Sequence, residues 1–232
     1  MIRGLLFDKD GTLLDFNETW GNWAAAFLED IAEGDQALVQ ILADAIGYQL
    51  STRRFHPRSA IIAGTPEEGV ELMLPYLPRW DFDGLLAHSN RAAKDAPLAE
   101  VLPLASYLGG LRAEGYKLGL ATNDSEATAK VHMASLNAQD GFDLILGSDS
   151  GFGGKPGPGM CLAFAQHVGL RPEAVAMVGD STHDLEAGRA AGMTCVGVLT
   201  GVAGVEELAP HADVVLGDIG QLAGWLNGQH AT

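Results

Sequence analysis

Cysteine is almost missing from these 232 residues: Cys161 and Cys195 stand alone, with no Cys-x-x-Cys pair. That excludes a thiolate zinc cluster and a disulfide framework. Positive charge is scarce too, with 14 Lys and Arg against 30 Asp and Glu, a net charge of −16 with histidines neutral. Such a surface repels phosphate backbones and argues against nucleic acid as a partner. No apolar run approaches the roughly 20 residues that span a bilayer, so no membrane partner is expected. The opening stretch Ile2–Phe7 meets Asp8 at once and is too short for a signal peptide. A cytoplasmic soluble chain is the expectation. Against these absences, 47% apolar and 19% charged residues are an ordinary globular balance. The length suits one large domain, or one domain carrying a smaller insert.

Two textures run along the chain. Residues 1–14 and 99–232 alternate short apolar runs with helical patterns. The runs are Ile2–Phe7, Tyr116–Ala121, Phe142–Leu146, Ala174–Val178, Thr194–Leu199 and Ala212–Leu216. Helical segments are predicted over 103–114, 125–136, 158–168, 184–191 and 218–227. Gly115, Gly169 and Gly192 each follow one of them, where a left-handed residue closes a helix. This alternation predicts an α/β fold, a doubly wound, mostly parallel sheet with right-handed crossovers. Residues 15–98 lack a convincing strand. Trp20, Trp23, Ala24, Phe27, Leu28 and Ile31 fall at helical spacing, as do Leu38, Ile41, Leu42, Ala45 and Ile46. A third helix starts at Thr65-Pro66-Glu67-Glu68 and a fourth runs from Phe82 to Lys94. The middle block therefore reads as a helical insert in an α/β core.

The chemistry gathers at strand ends. In open parallel sheets, ligands bind beyond the carboxyl ends of strands, beside the topological switch point. The first strand ends in Asp8-Lys9-Asp10-Gly11-Thr12. A simple turn accounts for one acid, not two. An EF-hand loop fails because its glycine position holds Leu13 and its bidentate glutamate position Thr19. A second run, Val175-Ala176-Met177-Val178, ends in Gly179-Asp180-Ser181-Thr182-His183-Asp184. Asp184 also suits a helix N-cap. Carboxylates crowded at neighbouring strand ends repel unless a cation sits among them, and oxygen-only ligation suits Mg²⁺. Thr122 and Asn123 follow a third strand and offer a hydroxyl and an amide. Lys155 lies in Gly153-Gly154-Lys155-Pro156-Gly157-Pro158, just before a helix; by its residue type alone it would be a solvated surface charge.

With these residues in order, the chain resembles the haloacid dehalogenase-like (HAD) hydrolase superfamily over essentially its whole length. Asp8–Thr12 is similar to the nucleophile motif, Thr122 to the second motif, Lys155 to the third and Gly179–Asp184 to the acidic fourth. The continuation Asp184-Leu185-Glu186-Ala187-Gly188-Arg189-Ala190-Ala191-Gly192-Met193 and an insert between motifs one and two resemble the phosphoglycolate phosphatase-like branch. The resemblance implies a Rossmann-like core over 1–14 and 99–232, with 15–98 as a helical cap. It also implies a Mg²⁺-dependent phosphatase acting on a small phosphomonoester through an aspartyl-phosphate. Asp8 would be the nucleophile, Asp10 the general acid and then base, and Lys155 a catalytic cation. Thr122, Asn123 and Lys155 would hold phosphate oxygens. Asp8, Asp180 and the backbone carbonyl of Asp10 would hold the metal, with Asp184 orienting Lys155 or a metal-bound water. An acid at position 10 separates this pattern from dehalogenases and phosphonatases of the superfamily.

Within the insert, Arg53 and Arg54 stand near Arg58 and His56 and are candidates for meeting an anionic leaving group, against the plainer reading of solvated charges. Trp20 and Trp23 are assigned to packing. Two other functions compete with the phosphatase. One is a phosphomutase, which returns the phosphoryl group to a second hydroxyl. The other is a receiver-like signalling module, also doubly wound and carrying a phosphoacceptor aspartate, though it needs neither an insert nor Asp10.

Overall fold

The computed structural model describes residues 1–56, 58–62 and 64–229. The chain divides into two compact units, Met1–Asp15 with Glu100–Thr232, and Phe16–Ala99. Strand β1 (Gly4–Phe7), wholly buried, opens the first.

The second unit then intervenes, with helices α1 (Phe16–Ile31) and α2 (Gln36–Ala45), short strands β2 (Tyr48–Gln49) and β3 (Arg54–Phe55), and helices α3 (Pro66–Met73) and α4 (Phe82–Ala93). Phe27, Leu28 and Ile31 of α1 are buried, as the spacing predicts, while Trp20 and Trp23 are half-buried and meet edge to face at 5.1 Å. Of the predicted α2 face, Leu42 and Ile46 are buried and Leu38 and Ala45 half-buried, but Ile41 is 44% exposed, while Val39 and Ala43 join the buried side. Asp35 caps the helix by accepting the Ala37 and Leu38 N–H groups at 2.9 and 3.2 Å, which fixes where it begins. Thr65 closes a capping box with Glu68, and Asp81 caps α4. Contrary to expectation, this block does hold strand structure. Tyr48 pairs with Phe55 and Gln49 with Arg54 in an antiparallel ladder. Two-residue strands are too short to show the alternation that reveals strands in sequence.

The first unit resumes with α5 (Leu104–Ala113), β4 (Lys117–Ala121), α6 (Glu126–Ser135), β5 (Leu144–Leu146), α7 (Gly159–His167), β6 (Val175–Gly179), α8 (Thr182–Ala191), β7 (Thr194–Val198), α9 (Val205–Leu208), β8 (Val214–Leu216) and α10 (Leu222–Gln229). Six parallel strands form one sheet in the order β5-β4-β1-β6-β7-β8. Leu6, facing one side, joins a buried cluster with Phe164 of α7 and Ala187 of α8. Phe7, facing the other, meets Tyr107 of α5 edge to face at 6.5 Å. The α/β, doubly wound fold is therefore as expected. Several boundaries shift, with α8 beginning at Thr182 and not 184 and the last helix at Leu222 and not 218, and the four-residue α9 was not foreseen. Gly115, Gly169 and Gly192 have φ of 92°, 69° and 82°, in the left-handed region that glycine tolerates. Among the described residues no helix is long and apolar enough to cross a membrane.

Candidate active site

Strand order brings the site residues together. From β1 the chain moves outward through β4 to β5, then returns to β6 on the other side of β1. The switch point thus lies at the carboxyl end of β1, with β4 and β6 as neighbours. Phe7 is level with Leu120 and with Val178, so the residues just beyond, Asp8, Thr122 and Asp180, emerge at one edge. The Asp8 N–H still bonds the Val178 carbonyl at 2.8 Å, which makes Asp8 a rigid extension of the strand.

Asp8, Asp180 and Asp184 are all buried, and each offers an oxygen within 4.8 Å of the others. Lys155 stands among them at 6% exposure, far from the solvated state its residue type suggests. Its Nζ lies 2.5 Å from Asp8 Oδ1, 2.6 Å from Asp184 Oδ1 and 2.8 Å from the Ala121 carbonyl. Asn123 holds the loop that delivers it. The Asn123 amide donates to the Lys155 carbonyl at 2.9 Å, and its Oδ1 accepts the Lys155 N–H at 2.7 Å. Both side-chain atoms of Asn123, read from the sequence as a phosphate ligand, are thus bonded to the Lys155 backbone. Thr122 is buried, and its Oγ1 accepts the Asp124 N–H at 3.1 Å.

Asp184 is not an N-cap. Ser181 caps α8, and Asp184 sits at N3 in a reciprocal capping box. Its Oδ2 accepts the Ser181 N–H and hydroxyl at 3.0 and 2.7 Å, leaving Oδ1 for Lys155. Asp184 therefore positions the lysine. Asp180 accepts the Thr12 hydroxyl at 3.1 Å. Gly11, at φ 87°, and Gly201 pass so close that a Cβ on either would collide with the Asp180 carboxylate.

The electrostatics follow from three buried acids sharing one ammonium. Burial pushes the Asp8 carboxyl up to about 7; Lys155 opposes this, while Asp184 and Asp10 add to it. Burial also raises Asp180 well above its ordinary value, reinforced by Asp8 and Asp184. Burial alone would lower Lys155, but Asp184 and Asp8 outweigh it and hold the ammonium charged. A site with more negative charge than its one lysine offsets, built of oxygen donors, fits a hard divalent cation. Burial raises the thiols of Cys161 and Cys195 to about 12 and about 11, so they stay protonated and inert.

Comparison with known proteins agrees with this arrangement. The haloacid dehalogenase-like hydrolase family matches residues 5–198. The chain belongs to that family. A phosphoglycolate phosphatase of Salmonella typhimurium is 29% identical over 217 residues, covering 86% of this chain and 82% of that one. A protein named "Probable phosphatase IndB" from Dickeya dadantii is 35% identical over 115 residues, about half of each chain (49% and 50%). Among solved structures, a β-phosphoglucomutase from Clostridium difficile superposes with a TM-score of 0.65 at 20% identity, covering 96% of this chain and 93% of that one, which speaks to the fold alone. This HAD-family chain is a phosphatase, a phosphoric monoester hydrolase.

Sequence reasoning missed Thr12, Gly201 and Lys9. The first two act through a carboxylate distant in sequence. Lys9 lies between two acids, yet it is wholly buried, with Nζ 2.7 Å from Asp10 Oδ2, 3.2 Å from Asp124 Oδ2 and 3.2 Å from His132 Nδ1. Burial alone would lower its pKa, but Asp10 and Asp124 raise it above the ordinary lysine value. In the other unit, Arg53 and Arg54 are exposed, and the Arg53 guanidinium donates to Asn22 Oδ1 at 2.8 Å.

Proposed function

We propose that this phosphatase hydrolyses a small soluble phosphomonoester, phosphoglycolate-like by analogy with its relatives, through an aspartyl-phosphate on Asp8. The observation that carries the reading is the convergence of Asp8, Asp180 and Asp184 from two strand ends around Lys155. Asp8 attacks phosphorus as the ester P–O bond breaks, and Asp10 passes its proton to the departing oxygen so that a neutral alcohol leaves. Asp10, now a carboxylate, takes a proton from the water that cleaves the acyl-phosphate and restores Asp8. Lys155 and Thr122 hold the phosphoryl oxygens as charge spreads over them, and Asp184 and Asn123 keep the lysine in place. Asp8, Asp180 and the Asp10 backbone carbonyl are the groups that would hold Mg²⁺. When bound, Mg²⁺ supplies the positive charge that lets a carboxylate meet a phosphate dianion.

Screening phosphate esters with Mg²⁺, wild type beside Asp8→Asn, tests the reading. Turnover that needs Mg²⁺ and disappears in Asp8→Asn is the expected result. Asp8→Asn as active as wild type would overturn it. Conversion of a phosphosugar to its isomer, without release of phosphate, would favour the mutase reading. Stable labelling by a small phosphodonor, without ester turnover, would favour the receiver reading.

A further inference from the structure

Lys9 is the buried charged group that the mechanism above leaves without a task. An ammonium is a costly choice at a position withdrawn from water, where an aliphatic side chain would pack without desolvation. Its neighbours explain its presence. Asp124, beyond β4, is itself fixed: its Oδ1 accepts the Ser125 N–H at 2.7 Å, and its carbonyl accepts the Ser148 N–H at 3.0 Å. His132 is buried on α6. Lys9 reaches from this fixed frame to Asp10 Oδ2 at 2.7 Å, while the Asp10 side chain keeps 14% exposure. The backbone around Asp10 is tied separately. The Gly11 N–H bonds the Leu14 carbonyl at 2.6 Å, and the Thr200 hydroxyl donates to the Gly11 carbonyl at 2.6 Å. With the main chain fixed, the freedom left to Asp10 is rotation of its carboxylate, and that is what the ion pair restrains.

We infer that Lys9 is a positioning residue, a buried strut that anchors the Asp10 carboxylate to Asp124 and His132 in the orientation needed to protonate the leaving oxygen. The inference rests on the reading of Asp8 and Asp10 given above. A general acid works only when its proton is aimed within hydrogen-bond reach of the departing atom, and displacements well under 1 Å are costly.

The test uses leaving groups. An alkoxide needs a proton to depart, whereas a nitrophenolate leaves without one. The value of kcat/KM reports events up to departure of the alcohol, so it isolates this step from later hydrolysis of the acyl-phosphate. Lys9→Met strands two carboxylates and risks misfolding, so the double variant Lys9→Met with Asp124→Asn is compared with Asp124→Asn alone, each checked by thermal melting. The expected result is a fall of about 10- to 100-fold in kcat/KM for an alkyl phosphate, part of the ~10²–10⁴ that a positioned acid supplies. For p-nitrophenyl phosphate the fall should stay under about threefold, because its first step makes little use of the acid. Equal falls for both esters, or none for the alkyl ester, would overturn the inference. If the double variant does not fold, Lys9→Gln, of similar reach without the charge, is judged by the same ratio. Asp10→Asn separates the two layers. Without an alkyl-selective loss in Asp10→Asn, the acid role of Asp10 fails and the strut falls with it. With that loss in Asp10→Asn but not in the Lys9 variants, the strut alone fails.

Discussion

Chelating divalent metal and raising the pH from acid to slightly alkaline is the perturbation to which the buried acids respond most directly. Asp8 is 7% exposed, and burial holds its carboxyl up near 7, with Lys155 opposing and Asp184 and Asp10 adding. In the unfolded chain the group returns to 3.8. Between these values the unfolded chain has released its proton and the folded chain still holds it. Folding therefore takes up a proton, and stability declines as pH rises. The Asp8 contribution is complete below 3.8 and lost as the pH passes about 7. At ~1.4 kcal/mol per unit this amounts to about 4 kcal/mol, a large share of the ~5–15 kcal/mol that holds a typical domain folded. Asp180 is displaced the same way and acts with the same sign.

Urea unfolding across this range, in chelator and again in Mg²⁺, reads the effect. Asp8→Asn serves as the reference, because its amide cannot ionise and it shares the rest of the protein's −16 charge background. In chelator, the stability of wild type minus that of Asp8→Asn should fall by about 4 kcal/mol between roughly pH 4 and pH 8. In saturating Mg²⁺ the slope should flatten, since a cation favours the ionised carboxylates. Stabilisation by the metal should accordingly be larger at the alkaline end. A difference constant to within ~1 kcal/mol across the range would refute the claim that burial and neighbouring acids keep Asp8 protonated without metal.

Gly11→Ala puts a side chain at φ 87° and against the Asp180 carboxylate. A loss of about 1–2 kcal/mol in stability from the left-handed backbone is expected by thermal melting, with a fall of about 100-fold in kcat/KM from the displaced carboxylate. Replacing both Arg53 and Arg54 by Ala tests whether they select the substrate: a KM about tenfold higher for an ester with a carboxylate on its leaving group, and unchanged for a neutral alkyl ester, would support that role. Identical kcat/KM for every substrate would remove the pair from substrate selection.

The sequence carried the fold class because parallel strands buried on both faces are written as apolar runs, and the strand-end acids interrupt those runs where the chain leaves the sheet. Asp8, Thr122 and Asp180 were legible for that reason, and Lys155 only through the family resemblance. Contacts spanning more than a hundred residues left no such trace. Lys9 meets His132, and Thr12 meets Asp180, only because β4 and β6 flank β1. Nor did local pattern show that the Asn123 side chain is bound to the Lys155 backbone. The sequence by itself determined which residues end strands and therefore which groups can reach the switch point. Only the tertiary structure decided the charge each carries, because desolvation and pairing depend on neighbours that the chain brings together after folding.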